Sequence, residues 1–458
     1  MADLSDLSVA QAAKKIRRKE LSPVSLVKNL FDRIDALESS LFAWVTIDQE
    51  KVLEVAYDLE RMIENDRFQG PLHGVPVGIK DIFYTKGMKT TACSKVYANF
   101  VPTYDSTCVR RLKEAGAIIL GKTVTTEFAT GDASPSRNPW NTAHTPGGSS
   151  SGSAVAVAAR MCPAALGSQT GGSVCRPAAY NGVVGFKPSY GRISKYGVIP
   201  VSWSLDTVGT LTRTVEDAAM LLDTLAGHDP NDSTSVLQPV PDYLEGLERW
   251  RMPLRIGLIK EFFFQWSDKE VQEHTLAIVE RLASAGAEIK EISLPESFAN
   301  VDAIRDIVDN VEVAAYHEEL FREHADDYTH KIRSRIEAGM LIPGIRYLQA
   351  QRMKSAYRRD MESLLDDIDI LLTPATYSEA PRDLTTTGIA LFQAPWTLCG
   401  LPTIALPSGL SNAGLPLAIQ LVGKHLGESA LLTAARWCEM TLGVELVPSL
   451  NGYVETAH

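Results

Sequence analysis

The sequence predicts an α/β fold in which helices cover a β-sheet. Short apolar runs bounded by Gly and Pro alternate with amphipathic segments of helical periodicity along the chain. Hydrophobic residues make up 45% of the 458 residues and charged residues 22%, as is typical of a soluble globular protein. No internal repeat and no break in composition divides the chain. We therefore expect a single domain over residues 1–458.

The first 65 residues are predicted to be helical. Ser8 is a suitable N-cap for the segment AQAAKKIRR. Ser22 and Pro23 then supply a cap and a first-turn proline for VSLVKNLFDRIDAL, whose apolar residues recur at helical spacing. Residues 1–65 therefore form an N-terminal helical segment.

Helices are also predicted further along the chain. STCVRRLKEAG has a serine cap and closes at Gly116, and AVAVAA is a short apolar helical run. TVEDAAMLLDTLAG places Thr214 and Asp217 in capping-box positions. Residues 270–365 are mostly charged amphipathic helix.

Buried strands are predicted between these helices. The apolar run GVPVGIK ends at Lys80, and AIILGK, LRIGLI and IDILLTPAT have the same texture. Residues 116–123 read GAIILGKT and match the pattern GxxxxGK[ST] of phosphate-binding loops. In a true phosphate-binding loop the middle residues follow a strand and wrap around the phosphate. In this chain the middle residues are expected to form a strand, and that strand follows a helix. This context argues against nucleotide binding, and Lys122 is expected at a strand end.

The composition excludes several classes of function. The formal net charge is −11 and no Lys/Arg-rich block is present, so nucleic acid is not expected as a partner. The N-terminus has no apolar signal region and no apolar run reaches the length of a membrane span. The six cysteines are scattered without a CxxC pair, which predicts neither a disulfide framework nor a metal site. We expect a cytoplasmic enzyme without a cofactor.

Residues 146–188 contain the most informative pattern. Two Gly-Gly-Ser elements, at 147–149 and 171–173, flank the apolar run AVAVAA. Glycines permit tight turns that expose a serine and aim neighbouring N–H groups at one point. Acyl transfer needs this combination of a nucleophile and an oxyanion hole. A flexible Gly/Ser linker is the alternative, but linkers lack buried apolar runs.

A serine nucleophile needs a base. Of the nine histidines, only His73 and His144 lie near Gly-rich elements, and both are interpreted as hydrogen-bonded turn residues. A lysine held neutral by burial is the other possibility. Lys80 in GVPVGIKD is placed for this role, at the end of an apolar strand and beside a loop.

The motifs together resemble the amidase signature family. The resemblance rests on GVPVGIKD, PGGSSSGSA and GSQTGGSVCRPAAYNGVVGFKPSYGRIS, and on FQAPWTLCGLPTIALPSG near the C-terminus. It implies a mixed central β-sheet surrounded by helices. By this resemblance residues 66–225 form the signature core and 367–458 its C-terminal part. Residues 226–366 form the family's variable, helical region on the substrate side.

The resemblance also implies a Ser-Ser-Lys triad. Ser173, which closes TGGS, is the implied nucleophile, and Ser149 is the bridging serine, entered through a cis peptide bond. Lys80 is the implied base. Ser150 is expected to hydrogen-bond the proton relay from outside the triad. The oxyanion donors implied are the backbone N–H groups of Thr170, Gly171, Gly172 and Ser173.

The sequence departs from the common family pattern near the nucleophile. Many members have an aspartate and an arginine where this chain has Gln169 and Cys175, and Arg176 follows one residue later. This form resembles the malonamidase-like branch, in which such an arginine holds a substrate carboxylate. Gln169 and Arg176 are therefore expected to bind substrate, while a purely structural Arg176 remains an equal alternative. Cys175 is expected to pack rather than react.

The expected activity is hydrolysis of small carboxamides through an acyl-enzyme, with anilides, esters and carbamates (aryl-acylamidase or urethanase activity) as variants. The alternative is an A-type component of an amidotransferase, which acts on aminoacyl-tRNA in a complex and which GRISKYGVIPVSWSLDTVG resembles. The expected partner is a small amide. Oligomeric state is open, and a homodimer is one state that the sequence allows.

Overall fold

A computed structural model describes residues 3–250 and 252–450. Within these ranges the chain forms one eleven-stranded mixed sheet and fourteen α-helices, which confirms the α/β fold. The strands are β1 (Trp44–Thr46), β2 (Pro76–Lys80), β3 (Ile118–Thr123), β4 (Ala164–Gln169), β5 (Val184–Lys187), β6 (Thr207–Thr212), β7 (Arg255–Leu258), β8 (Glu288–Glu291), β9 (Ile370–Pro374), β10 (Thr403–Leu410) and β11 (Pro416–Val422).

The helices precede, separate and follow these strands. They are α1 (Val9–Arg17), α2 (Pro23–Leu41), α3 (Gln49–Glu64), α4 (Thr107–Glu114), α5 (Ser151–Ala158), α6 (Cys175–Asn181), α7 (Val215–Leu225), α8 (Phe263–Trp266), α9 (Lys269–Ser284), α10 (Val301–His324), α11 (His330–Leu341), α12 (Gly344–Ser363), α13 (Ala394–Leu398) and α14 (Glu428–Leu442). No helix in the two described ranges is both long and apolar enough to cross a bilayer.

The order of strands brings the candidate catalytic residues together at the edge of the sheet where the parallel strands β2, β3 and β4 end. The order is β1-β3-β2-β4-β6-β5-β10-β11-β9-β7-β8. Strand β2 lies parallel to both β3 and β4, with Ile79 opposite Leu166 on β4. Because parallel strands end at the same edge, Lys80 and the segment that follows Gln169 lie side by side. The GAIILGKT motif is largely β3, so its middle is strand interior as predicted.

The predicted N-terminal helices form with the expected caps. Ser8 and the side chain of Gln11 make a capping box at α1, and Ser22 caps α2. At α7 the Thr214 hydroxyl accepts from the Asp217 N–H, as its position predicts. The Asp217 carboxylate instead accepts from Ala10 N at 2.9 Å. It thereby ties α7 to α1 rather than completing a box.

The region 270–365 is mainly helical, as predicted, but it also contains β8. That strand has the sequence EIKE, pairs in parallel with β7 at the edge of the sheet, and is largely exposed. An exposed edge strand of charged residues lacks the apolar pattern by which strands are recognised in a sequence.

Candidate active site

Lys80 lies at the end of β2, and its side chain is completely buried. Its Nζ donates to Ser149 Oγ at 2.7 Å and to Ser168 Oγ at 2.9 Å. Burial lowers the pKa of Lys80 to about 7, against an opposing effect of the Asp206 charge. A lysine with such a pKa can exchange a proton near neutral pH.

Ser149 follows a cis peptide bond from Gly148, as the family resemblance implied. The preceding Gly147 has a φ of +76°, and a Cβ there would lie 2.9 Å from Pro177 Cα, so only glycine fits this turn. The carbonyl of Ser149 accepts from Thr126 N at 3.2 Å. These contacts fix the turn that presents the Ser149 hydroxyl to Lys80.

Ser173 lies in the loop between β4 and α6 and is partly exposed. It lines a cavity of about 740 Å³, and Ser149 lines the same cavity. The two serine segments are tied together, because Ser150 N donates to Ser173 O at 3.3 Å. Lys80 therefore contacts Ser149, and Ser149 lines the same cavity as Ser173, but no hydrogen bond joins the two serine hydroxyls among the described residues.

The loop that ends at Ser173 lines the cavity and has backbone N–H groups without partners among the described residues. Within residues 3–250 and 252–450, no protein group accepts from the N–H of Gly171, Gly172 or Ser173, and all three residues line the cavity. A Cβ on Gly172 would lie 2.6 Å from Gln393 Oε1 and 3.2 Å from Gln393 Cβ, so this loop packs closely against Gln393. Unpaired N–H groups that face a cavity are what an oxyanion hole needs.

The side chain of Asp206 hydrogen-bonds to the loop that contains Thr170. Sequence reasoning did not identify this residue. Asp206 Oδ1 accepts from Thr170 Oγ1 at 2.5 Å, while its other oxygen accepts from Val201 N and Ser202 N at 2.8 and 3.0 Å. Burial raises the pKa of Asp206 to about 6. Because β4 and β6 are antiparallel neighbours, Asp206 lies beside Thr170 in space although 36 residues separate them.

Ser168 is a second residue that sequence reasoning missed. Its hydroxyl receives a hydrogen bond from Lys80, as described above. Ser150 does not contact the Lys80 side chain: its Oγ accepts from Ser168 N at 3.3 Å and donates to Ser168 O at 3.4 Å. Ser150 therefore supports the backbone of Ser168, one step further from the reacting groups than Ser149. Ser168 lies in the SQT motif, next to Gln169, and this motif is the signal in the sequence that points to it.

The expectation that Gln169 binds substrate is wrong. Its side chain is completely buried and does not line the cavity. Its Oε1 accepts from Val174 N and Cys175 N, both at 3.0 Å, and its Nε2 donates to Thr397 Oγ1 at 3.0 Å. Gln169 thus holds the first N–H groups of α6. Cys175 is buried, as expected of a packing residue, and burial raises its pKa to about 12.

Arg176 has features of both roles considered for it. One guanidinium nitrogen, Nη2, donates to Gly148 O at 2.6 Å and to Thr387 Oγ1 at 3.1 Å, which holds the turn before Ser149. Arg176 also lines the cavity, and its buried Nε has no hydrogen-bond partner among the described residues. Burial lowers its pKa to about 10. The Nη2 contacts are structural, and the binding of substrate by Arg176 stays a prediction.

The two histidines considered as bases lie elsewhere. His73 is buried, with one ring nitrogen 3.0 Å from Leu59 O and the other accepting from Gln69 N. His144 Nδ1 lies 2.7 Å from Ala380 O. Neither lines the cavity that contains Ser173. Both are turn histidines, as predicted.

Comparisons with known proteins agree with this geometry. The model of the Amidase family matches residues 25–432. The A subunit of the glutamyl-tRNA(Gln) amidotransferase of Geobacter sp. (strain M21) is 40% identical, over 94% of this chain and 96% of that protein. The similarity therefore extends over nearly the whole length of both proteins.

Two solved structures show the same fold. The native peptide amidase of Stenotrophomonas maltophilia has a TM-score of 0.85 at 29% identity and covers 97% of this chain and 99% of its own. A chain from a vestigial protein complex that bears on the origins of an s-triazine catabolic enzyme has a TM-score of 0.89 at 28% identity, over 97% of this chain and 100% of its own. With the family model matching most of its length and the signature motifs meeting at one cavity, this chain belongs to the amidase signature family.

Proposed function

We propose that this chain cleaves carboxamide C–N bonds through an acyl-enzyme on Ser173. The observation that carries the proposal is the buried Lys80, bonded to Ser149 at 2.7 Å with its pKa lowered to about 7. A lysine with its ordinary pKa would stay protonated at neutral pH and could not act as a base. Ser149 then links this base to the cavity that Ser173 lines.

The first half of the reaction forms the acyl-enzyme. Neutral Lys80 takes the hydroxyl proton of Ser149 while Ser149 takes that of Ser173, and Ser173 Oγ bonds to the amide carbon. The carbonyl π electrons move to oxygen, where the free N–H groups of residues 171–173 stabilise the negative charge. The oxyanion's electron pair then re-forms the C=O bond as the C–N bond breaks, and the nitrogen keeps the electron pair of that bond and takes a proton returned by Lys80 through Ser149. Ammonia or an amine leaves.

The second half releases the acid. Water attacks the ester of Ser173, the relay accepts its proton, and the alkoxide of Ser173 is reprotonated as the carboxylic acid departs. Anilides, esters and carbamates present the same carbonyl to the same groups. The proposed substrate is therefore a small molecule with an accessible carbonyl, and an amide is the principal case.

This reaction fits either a stand-alone amidohydrolase or one subunit of an amidotransferase, which we call the two settings. Specific observations favour each of them. The relative from Geobacter is named as one component of an amidotransferase, and its 40% identity favours the same assignment here, with protein partners and ammonia delivered for transfer to aminoacyl-tRNA. One structural neighbour also comes from a protein complex. A stand-alone amidohydrolase is favoured by the departures at Gln169, Cys175 and Arg176, by the acidic net charge and by the likeness to a peptide amidase. The 40% identity to an amidotransferase subunit gives the amidotransferase the stronger support.

Assays of the purified chain decide between the stand-alone enzyme and the amidotransferase subunit. We expect release of ammonia from simple carboxamides, and loss of that release in Ser173→Ala with unchanged folding. Strong turnover by the chain alone, at the level reached with any partner, would support the stand-alone enzyme. Turnover that appears or rises greatly only when the other components of an amidotransferase are added would support the amidotransferase setting. Full activity of Ser173→Ala would refute the proposed function in either setting.

A further inference from the structure

Glu312 is a buried carboxylate in the middle of α10, and it does not line the catalytic cavity. Its side chain meets hydrogen-bond donors only, and no cation lies within 4.0 Å of it in residues 3–250 or 252–450. A buried carboxylate without a cation is costly unless hydrogen-bond donors replace the water that it loses. The packing of α10 alone therefore does not explain a glutamate at this position.

Four donors surround the Glu312 carboxylate. One oxygen, Oε2, accepts from the Ser202 hydroxyl and from Ser204 N, the latter at 3.0 Å. The other oxygen, Oε1, accepts from Tyr347 Oη at 2.6 Å and from Gln351 Nε2 at 3.2 Å, both on α12. Because each oxygen faces two donors, an amide here would point its N–H groups at one of these pairs. The position therefore requires a group that only accepts hydrogen bonds.

Ser202 is the centre of the turn formed by residues 201–206. Its carbonyl oxygen accepts from Leu205 N at 3.2 Å and from Asp206 N at 2.8 Å. Its own N–H donates to the Asp206 carboxylate at 3.0 Å, while its hydroxyl donates to Glu312. Glu312 thus holds the residue on which this turn closes, and the turn in turn fixes Asp206.

Asp206 connects this turn with the loop that carries the oxyanion donors. Its Oδ1 accepts from Thr170 Oγ1 at 2.5 Å, and Thr170 lines the catalytic cavity together with residues 171–173. A continuous series of hydrogen bonds therefore leads from Glu312 to this loop. Other residues of α10 line the same cavity. One helix thus contributes to the cavity wall directly and contacts the oxyanion loop through the turn.

We propose that Glu312 is a positioning residue for the oxyanion hole. It fixes the turn at Ser202 and, through Asp206, the side chain of Thr170. The N–H groups of residues 171–173 then keep the place that the developing negative charge requires. A shift of about 1 Å in such groups can lower the rate by as much as about 100-fold. The inference rests on the proposed function and adds to it a residue that acts at a distance from the reacting atoms.

The kinetics of carboxamide hydrolysis test this inference in three single variants and one double variant. Glu312→Gln keeps the size of the side chain and replaces one acceptor oxygen with an NH₂ group. Thr170→Val removes the hydroxyl that Asp206 holds, and the double variant combines the two changes. Asp217→Asn is the control, because Asp217 is also a completely buried carboxylate, ties α7 to α1 and does not line the cavity.

We expect Glu312→Gln to lower kcat about tenfold with little change in KM, because the oxyanion donors act mainly in the transition state. Adding Glu312→Gln to Thr170→Val should lower kcat by less than about threefold more, because both changes act through one network. Asp217→Asn should lower the melting temperature and leave kcat unchanged. Unchanged kcat in Glu312→Gln, a rise in KM alone, or losses that multiply in the double variant would overturn the inference.

Ser202→Ala is a second variant that tests the same contact if Glu312→Gln does not fold. It removes the hydroxyl that donates to Glu312 and leaves the carboxylate its three other donors. We expect the same loss of kcat with little change in KM. A folded Ser202→Ala with the kcat of wild type would overturn the inference.

Hydrogen exchange followed by mass spectrometry separates this inference from the proposed function, because it requires no turnover. Glu312→Gln should speed exchange in peptides that cover residues 201–206 and also in those that cover 168–174, whereas Asp217→Asn should change neither. Faster exchange of residues 201–206 alone would overturn the connection with the oxyanion loop. If wild type cleaved no amide while both peptides still responded to Glu312→Gln, the proposed function would fail and the positioning of this loop by Glu312 would stand.

Discussion

The ammonium group of Lys80 lies 2.7 Å from the hydroxyl of Ser149, and both side chains are almost fully buried. No carboxylate lies within 4.0 Å of this lysine in the described part of the chain. A buried lysine without an ion-pair partner is costly when charged, and this cost keeps its pKa near 7. The burial that makes Lys80 unfavourable as a cation is what suits it to act as a base.

Replacing Lys80 with methionine tests this relationship. We expect Lys80→Met to lower kcat/KM by about 10²–10⁴-fold, the range typical of a lost general base. The flexible methionine side chain fills similar space, and no charge is left unpaired by the change. Circular dichroism should therefore stay close to wild type, and the melting temperature at neutral pH should not fall, because the cost of burying Lys80 is removed. Retention of full kcat/KM would contradict the role of Lys80.

Lys122 is the matched control, because it is also a completely buried lysine at the same edge of the sheet. Its Nζ lies 3.5 Å from Asp81 Oδ1 and donates to Thr90 Oγ1 at 2.8 Å. Lys122→Met leaves the Asp81 carboxylate buried without its cation, so we expect a loss of about 3–5 kcal/mol in the free energy of unfolding. Denaturant titration measures this loss. A smaller loss than in Lys80→Met would contradict the difference inferred between the two lysines.

The pH dependence of the rate follows from the same pKa. Lys80 must be neutral to accept a proton, so kcat/KM should fall about tenfold per pH unit below the pKa of about 7 and level off above it. Amide hydrolysis followed from pH 5.5 to 9 measures this profile. A flat profile across that range would contradict a lysine base.

The stability of the chain should follow the same group. Folding lowers the pKa of Lys80 from 10.5 to about 7, so between these values the unfolded chain binds a proton that the folded chain has released. The free energy of unfolding contributed by Lys80 therefore rises with pH across this window and is lost as the pH falls towards 7. Denaturant titrations of wild type minus Lys80→Met isolate this contribution from the other buried lysines. A difference that stays constant from pH 7 to 10 would count against the lowered pKa.

Ser168 is expected to affect the pKa of Lys80, the proposed base, because the Ser168 hydroxyl accepts a hydrogen bond from Lys80 at 2.9 Å. Removing this acceptor disfavours the charged lysine, so Ser168→Ala should move the rate profile to lower pH and reduce kcat by misplacing Nζ. Ser153→Ala is the control: Ser153 is buried and bonds Leu166 O at 2.9 Å, without contacting Lys80. An unshifted profile in Ser168→Ala would mean that Ser168 is only structural.

Thr170 is expected to support the oxyanion donors through its bond to Asp206. Thr170→Val keeps the backbone N–H but lets the loop shift, so kcat should fall about tenfold while KM changes little, because the donors act mainly in the transition state. Thr210→Val is the control, since the buried Thr210 hydroxyl makes no hydrogen bond with the described residues. A rise in KM with unchanged kcat would point to ground-state binding instead.

Much of the fold could be predicted from local sequence patterns. The helices α1 and α2 begin at their serine caps, and Lys80 ends its strand, because these features depend on residues close together in the chain. Strand β8 could not be predicted, because it is an exposed edge strand held by pairing with β7. Pairing partners distant in sequence leave no periodic pattern.

The candidate site likewise contains some residues that the sequence predicts and others that it does not. Ser149, Ser173 and Lys80 lie within motifs whose glycines and apolar flanks are visible in the sequence. Asp206 could not be found, since its contact with Thr170 depends on the pairing of β4 with β6. Gln169 lies beside the nucleophile motif in the sequence, but its side chain bonds the start of α6 and Thr397, contacts that only the tertiary packing reveals.

The most direct test of the account is covalent labelling of the folded chain with a fluorophosphonate, followed by peptide mass spectrometry. An activated serine displaces fluoride and becomes phosphonylated, whereas ordinary serines do not react. We predict a single label on Ser173, formed more slowly below pH 7 and nearly absent in Lys80→Met. Labelling of a different residue, or no label on a chain that hydrolyses amides, would contradict it.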